Sequence, residues 1–192
     1  MRNERNDEKE TQSGVIGLMP ATAVKEERLR QEVAELFVAT QEGVIRFLIT
    51  TGLNPSTAEE AAQEAFLRLY KARSEGEEIL QPRSWVYRVA RNVALNSRRN
   101  SRNDSAFSDA LEAAIASTEI SAEKRLIERE SLEAFREAMK RLSERQRLCL
   151  ELRSQGLQYR EIGEILDLRI STVAEYVRRG IEELKKWNRR TT

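Results

Sequence analysis

From Leu29 onward, apolar positions recur every three or four residues: Leu29, Val33, Leu36, Phe37, Thr40, Val44, Phe47, Leu48 and Thr51. That spacing lines one face of a helix, and Gly52 ends it. Gly43 within the run predicts a bend, because an internal glycine costs a helix about 1 kcal/mol relative to alanine. Asn54-Pro55 marks a turn, and Ser56 with Glu59, or Thr57 with Glu60, forms a capping box that opens a second helix. Ala58, Ala62, Ala65, Phe66, Leu69 and Ala72 make its apolar face. Gly76 and Pro82 break the pattern, so residues 74–83 read as a loop. A third helix is expected from about Ser84 to Asn100, burying Val86, Val89, Ala90, Val93 and Ala94.

Residues 101–120 are rich in Ser, Ala and Asp and poor in large apolar side chains, which predicts a linker. Helix formers resume at Glu123, with Leu126, Ile127, Leu132, Phe135, Met139 and Leu142 as the expected buried set. Ser143 and Gln146 form a second capping box, opening a helix through Leu148, Cys149 and Leu152 that Gly156 ends. A short helix then runs from Tyr159 to Leu166, followed by a tight Asp167-Leu168-Arg169 turn and a longer helix from Ile170 or Ser171 to Trp187. Two such helices make a helix-turn-helix, with Ile162, Leu166, Leu168, Val173 and Val177 as its internal core. The chain therefore reads as all-α: two small helical domains, 27–103 and 123–192, joined by a linker at 104–122 and preceded by a mobile extension at 1–26.

Composition narrows the chemistry. There is no histidine and one cysteine, Cys149, so the usual general base, the usual nitrogen metal ligand and any intrachain disulfide are missing. The expectation is a protein that is not an enzyme and uses no cofactor and no metal. No apolar run approaches the roughly 18 residues that span a bilayer, and no signal peptide is evident, which predicts a cytoplasmic protein without membrane insertion.

The near-neutral total, 33 basic against 32 acidic residues, hides a local segregation. Between Gln81 and Asn103 stand Arg83, Arg88, Arg91, Arg98, Arg99 and Arg102, with no acidic residue among them. Positions 88, 91, 98 and 102 share a helical face, with Trp85, Tyr87 and Asn92 nearby. A basic face interleaved with aromatic and amide groups suits phosphates and stacking on unpaired bases. Residues 56–80 carry Glu59, Glu60, Glu64, Glu75, Glu77 and Glu78, a surface that repels phosphate and suits a protein partner. In the last helix, with Ile170, Val173, Val177, Ile181 and Leu184 facing the core, Ser171, Thr172, Glu175, Tyr176 and Arg179 point outward to base edges, and Arg178 meets a phosphate.

Two stretches, TAEEAAQEAFLRLY (57–70) and PRSWVYRVARNVALNSRRN (82–100), together resemble region 2 of bacterial sigma factors of the extracytoplasmic-function (ECF) type. The stretch LSERQRLCLELRSQGLQYREIGEILDLRISTVAEYVRRGIEELKK (142–186) resembles their region 4. The resemblance implies a transcription initiation factor that binds core RNA polymerase and promoter DNA. It places Glu60, Gln63 and Glu64 on the β′ clamp, with region 4 on the β flap. It puts Trp85, Arg88, Arg91, Asn92, Arg98 and Arg99 on the opened minus-ten strand, after a base-capturing loop at 74–83. Region 4 would read the minus-thirty-five element, and an anti-sigma factor is an implied partner. Asp167 stands where the family's turn usually has glycine. Arg169 replaces a usual Ser cap, so Ser171 is expected to cap instead. Two alternatives stay open: a sigma mimic that sequesters an anti-sigma factor, and a LuxR-type helix-turn-helix regulator.

Overall fold

The structure is a computed structural model that describes residues 21–100 and 137–191, with side-chain environments over residues 23–96 and 137–186. The linker at 104–122 and the expected buried set from Leu126 to Phe135 lie outside the described residues. The described chain holds the helices α1 (Ala21–Thr50), α2 (Pro55–Ser74), α3 (Pro82–Asn100), α4 (Glu144–Ser154), α5 (Tyr159–Leu166) and α6 (Ile170–Thr191), and residues 137–140 are also helical. None among the described residues is long and apolar enough to cross a membrane.

The helix expected from Leu29 starts at Ala21, so the last residues of the 1–26 extension are its first turns. The stretch carries alanines that favour helix but little buried apolar surface, and i,i+4 pairs just beyond it, Arg28–Glu32 (3.0 Å) and Arg30–Glu26 (2.7 Å), add support. Gly43 does not interrupt α1, which is continuous across it. The second helix is capped by Asn54, not by a Ser56 or Thr57 box: Asn54 Oδ1 accepts the Thr57 N–H at 2.9 Å, and Pro55 occupies the first turn, where its missing N–H costs nothing.

Helices α1, α2 and α3 pack pairwise around Val44, Phe47, Leu48, Ala62, Leu69 and Val86, all but removed from solvent. Tyr87, placed by sequence beside the arginine face, is fully buried and meets Phe47 edge-on at 5.7 Å between ring centroids. It lies one position from Val86 on the apolar side, so its ring joins the core and takes no part in an outer surface.

In the second unit the Ser143 box forms as expected: Gln146 N–H donates to Ser143 Oγ, and Ser143 N–H donates to Gln146 Oε1 at 2.8 Å. The α5–α6 turn puts Asp167 in the left-handed region (φ 58, ψ 54). Leu168 N–H then donates to Gly163 O at 2.9 Å. A Cβ on Gly163 would stand 2.7 Å from the Leu168 carbonyl oxygen, so only glycine lets the turn close this tightly. Ile162, Leu166, Val173 and Val177 form the motif's core as expected, with Leu168 half-buried at its rim.

The two units do not stand apart. α1 packs on α4 and α3 on α5, and the buried residues of both units form one continuous apolar cluster.

Candidate nucleic-acid interface

Each helix contributes one functional face. On α2, Glu60 and Gln63 are exposed and Glu64 is half-exposed, its Oε1 accepting from Arg68 Nε at 2.7 Å. Leu67, one turn beyond on the same face, is 65% exposed, an apolar group amid polar ones. Sequence reasoning passed over it because it sits between Phe66 and Leu69, which are core. Its spacing of three from Glu64 was the available signal.

On α3, Arg88 and Asn92 are exposed, while Trp85 and Arg91 are half-buried. Residues 98 and 99 belong to α3, but the side chains of Arg98 and Arg99 lie outside the described residues. Neither Arg88 nor Arg91 forms an ion pair with any described residue, so these two cations are not neutralised by the described part of the fold. Trp85 borders two concavities. One, of about 320 Å³, is lined by the 77–81 loop, Ser84, Trp85 and Arg88, and its far wall is Arg160 and Glu164 of α5. The other is lined by Arg68, Ala72, Trp85, Val89 and Asn92. Leu80, 83% exposed, projects from the loop.

Arg91 has a distinct environment. Burial lowers its pKa below the ordinary arginine value and the neighbouring Arg145 pushes the same way, while Asp167 and Glu144 oppose them. All three charged neighbours belong to the second unit.

On α6, Ser171 is exposed and Thr172 half-exposed. The helix begins at Ile170, and the Arg169 carbonyl, accepting Val173 N–H at 3.0 Å, closes its first turn; Ser171 lies inside the helix and is not its cap. Two further expectations change. Ile170 and Ile181 face solvent, because the inward stripe runs Val173, Val177, Gly180 and Leu184. Tyr176, three residues from Val173, is half-buried against the core and does not stand free toward base edges. Glu175 faces outward and holds both neighbouring arginines: its Oε1 accepts from Arg178 Nη2 at 2.9 Å and from Arg179 Nε at 2.5 Å. Hydrogen bonds from Arg178 first, then Arg179, pull its carboxyl down to about 2. Arg178 also reaches Glu182 at 2.6 Å.

A helical unit whose Arg88 and Arg91 are unpaired among the described residues, packed on a helix-turn-helix, has the features of a DNA-binding transcription factor. Residues 36–103 match the family Sigma-70 region 2, and residues 132–184 match Sigma-70, region 4. The chain is 28% identical over 160 residues to the RNA polymerase sigma-H factor of Pseudomonas aeruginosa, covering 79% of this chain and 83% of that protein. It is 28% identical over 146 residues to the ECF RNA polymerase sigma factor SigW of Bacillus subtilis, covering 69% and 76%. Among solved structures, the sigma factor RpoE of Bartonella quintana, in complex with the anti-sigma factor NepR, has a TM-score of 0.55 at 17% identity, covering 85% of this chain and 98% of that one. That likeness shows the fold. The chain belongs to the sigma factors of RNA polymerase, of the extracytoplasmic-function type, and is a transcription initiation factor.

Proposed function

We propose that each functional face carries one step of promoter opening. Glu60, Gln63 and Glu64, with Leu67 as an apolar anchor, dock α2 on the β′ clamp of core polymerase. Trp85, Arg88, Arg91 and Asn92, extended by Arg98 and Arg99, hold the opened minus-ten strand, the arginines on phosphates and the indole against a base. The cavity beside Trp85 and the 77–81 loop receives a base turned out of the stack. Ser171, Thr172, Glu175, Arg178 and Arg179 enter the minus-thirty-five duplex, and region 4 also contacts the β flap. The cost of unstacking, a few kcal/mol per base, is offset by these contacts. Polymerase supplies all the chemistry, and the factor works in the cytoplasm.

The observation that carries this reading is that Arg88 and Arg91 of α3 have no ion-pair partner among the described residues and stand beside an exposed acidic face on α2, two surfaces of opposite sign for two partners. The test is transcription from fragmented genomic DNA by core polymerase with the purified chain. Promoter-dependent transcripts are expected, and Arg88→Glu should abolish them while leaving polymerase binding intact. Well-folded protein that yields no transcript with a matched polymerase refutes the proposal. The self-neutralised arginines of α6 favour a second reading, a mimic that sequesters an anti-sigma factor without binding DNA. Such a protein would bind that factor and support no transcript.

A further inference from the structure

An apolar side chain stands open to solvent where the last helix begins. Ile170 is the first residue of α6 and is 53% exposed, although hydrophobicity assigns it to the core. The cause is local. After the left-handed turn at Asp167, Leu168 packs against the apolar cluster, and Val173 takes the next inward position, so Ile170 between them is left outside it. Single exposed isoleucines are ordinary on protein surfaces, and what distinguishes this one is its place. The amino-terminal turn of the second helix of a helix-turn-helix is the part that meets base edges in the major groove.

The rest of that turn narrows what it can read. Ser171 is exposed and Thr172 half-exposed, so two hydroxyls follow the isoleucine. The cations come later and are engaged: Glu175 Oε1 accepts from Arg178 Nη2 at 2.9 Å and from Arg179 Nε at 2.5 Å, and Arg178 reaches Glu182 at 2.6 Å. The first turn therefore offers a branched hydrocarbon with hydroxyl donors, not a free guanidinium for guanine. Thymine is the base that presents both matching features in the major groove, a C5-methyl group and the O4 acceptor. We propose that Ile170 is a specificity-determining residue, packing on the C5-methyl of a thymine in the minus-thirty-five element. This rests on the reading of α6 as the helix that enters that duplex.

The test removes the methyl from the DNA and the hydrocarbon from the protein, separately and together. Holoenzyme assembled with the full chain is titrated onto a duplex promoter recovered by transcript mapping. Each thymine of the minus-thirty-five element is replaced singly by deoxyuridine, which keeps the pairing and O4 and lacks only the methyl. Fluorescence anisotropy should show one position at which uracil weakens binding about fourfold, the value of one methyl-sized group removed from water. In Ile170→Ala that difference should vanish, with the thymine duplex bound as weakly as the uracil duplex, whereas Ile170→Val should keep most of it. Ile181→Ala is the control: Ile181 is 39% exposed on the same side of α6 but about 16 Å further along the axis, so its loss should leave the uracil effect whole. Because Ile170 lies outside the core, its variants should melt close to the parent chain. No uracil effect at any position, an effect undiminished in Ile170→Ala, or a minus-thirty-five element without thymine in either strand overturns the proposal and leaves the initiation reading standing. If the parent chain yields no transcript with a matched polymerase, the initiation reading fails and the assignment of Ile170 fails with it.

Discussion

Replacing Glu175 by glutamine removes one charge from the centre of a four-charge set on α6. Arg178 is held between Glu175 at 2.9 Å and Glu182 at 2.6 Å, and Arg179 is held by Glu175 at 2.5 Å. Two positive and two negative charges cancel in this set, so a phosphate approaching the recognition helix meets no net attraction from it. In the glutamine variant the set carries one net positive charge, and Arg179 loses the carboxylate that holds it. Each phosphate neutralised on B-DNA contributes about 0.9 to the slope of log affinity against log salt. Holoenzyme containing Glu175→Gln should therefore bind promoter duplex with a slope steeper by about 0.9, and with higher affinity at low salt. The assay is fluorescence anisotropy across a salt series, on a promoter recovered by transcript mapping. An unchanged or shallower slope would show that Arg178 and Arg179 do not reach phosphates. Acid does not mimic the substitution at working pH. The folded pKa of Glu175 is depressed to about 2, so the ion pairs are complete above the ordinary value of 4.5 and are lost only as pH falls toward 2. Carboxyl NMR titration reads that directly.

Asp167→Gly should stabilise the chain by about 1 kcal/mol, because glycine adopts the left-handed turn without the Cβ penalty that aspartate bears at φ 58. Thermal denaturation should show a higher Tm, and a lower one would mean that the Asp167 carboxylate contributes more than the backbone strain costs. The Cys149 thiol, pushed up to about 11 by burial, should resist a disulfide reagent at pH 8 in native protein and react fully in denaturant. Rapid labelling of the native chain would contradict its burial.

Features set by local spacing were legible in the sequence. The Ser143 box, the bounds of α5 and the run of arginines on α3 each depend on residues within a turn or two of one another, where propensity and capping act alone. Features set by a neighbour were not. Tyr87 looked like part of an outer aromatic surface because its hydroxyl is polar, but the ring fills space beside Phe47 that only the assembled bundle creates. Gly43 read as a bend because its cost to the helix is local, whereas its benefit is the approach of Gln155, distant in sequence. Ile170 and Ile181 were assigned to the core by hydrophobicity, and the true stripe passes through Gly180, a residue that periodicity counts as empty. The packing of α5 on α3 could not be read from either stretch, since an apolar face shows that a helix is buried but not which helix covers it.

The helices differ in how they treat their own charge. On α1, α2, α5 and α6, arginines such as Arg30, Arg68, Arg160 and Arg178 find a carboxylate one turn away on the same helix. α3 has no acidic residue and so cannot do this. Its positive field is therefore not offset from within the helix, whatever rotamers its side chains adopt. Phosphate contacts carry no sequence information, so such a field attracts RNA as readily as DNA. The missing carboxylates on α3 thus leave the choice between polyanions to the uncharged groups beside the arginines, the indole of Trp85 and the amide of Asn92.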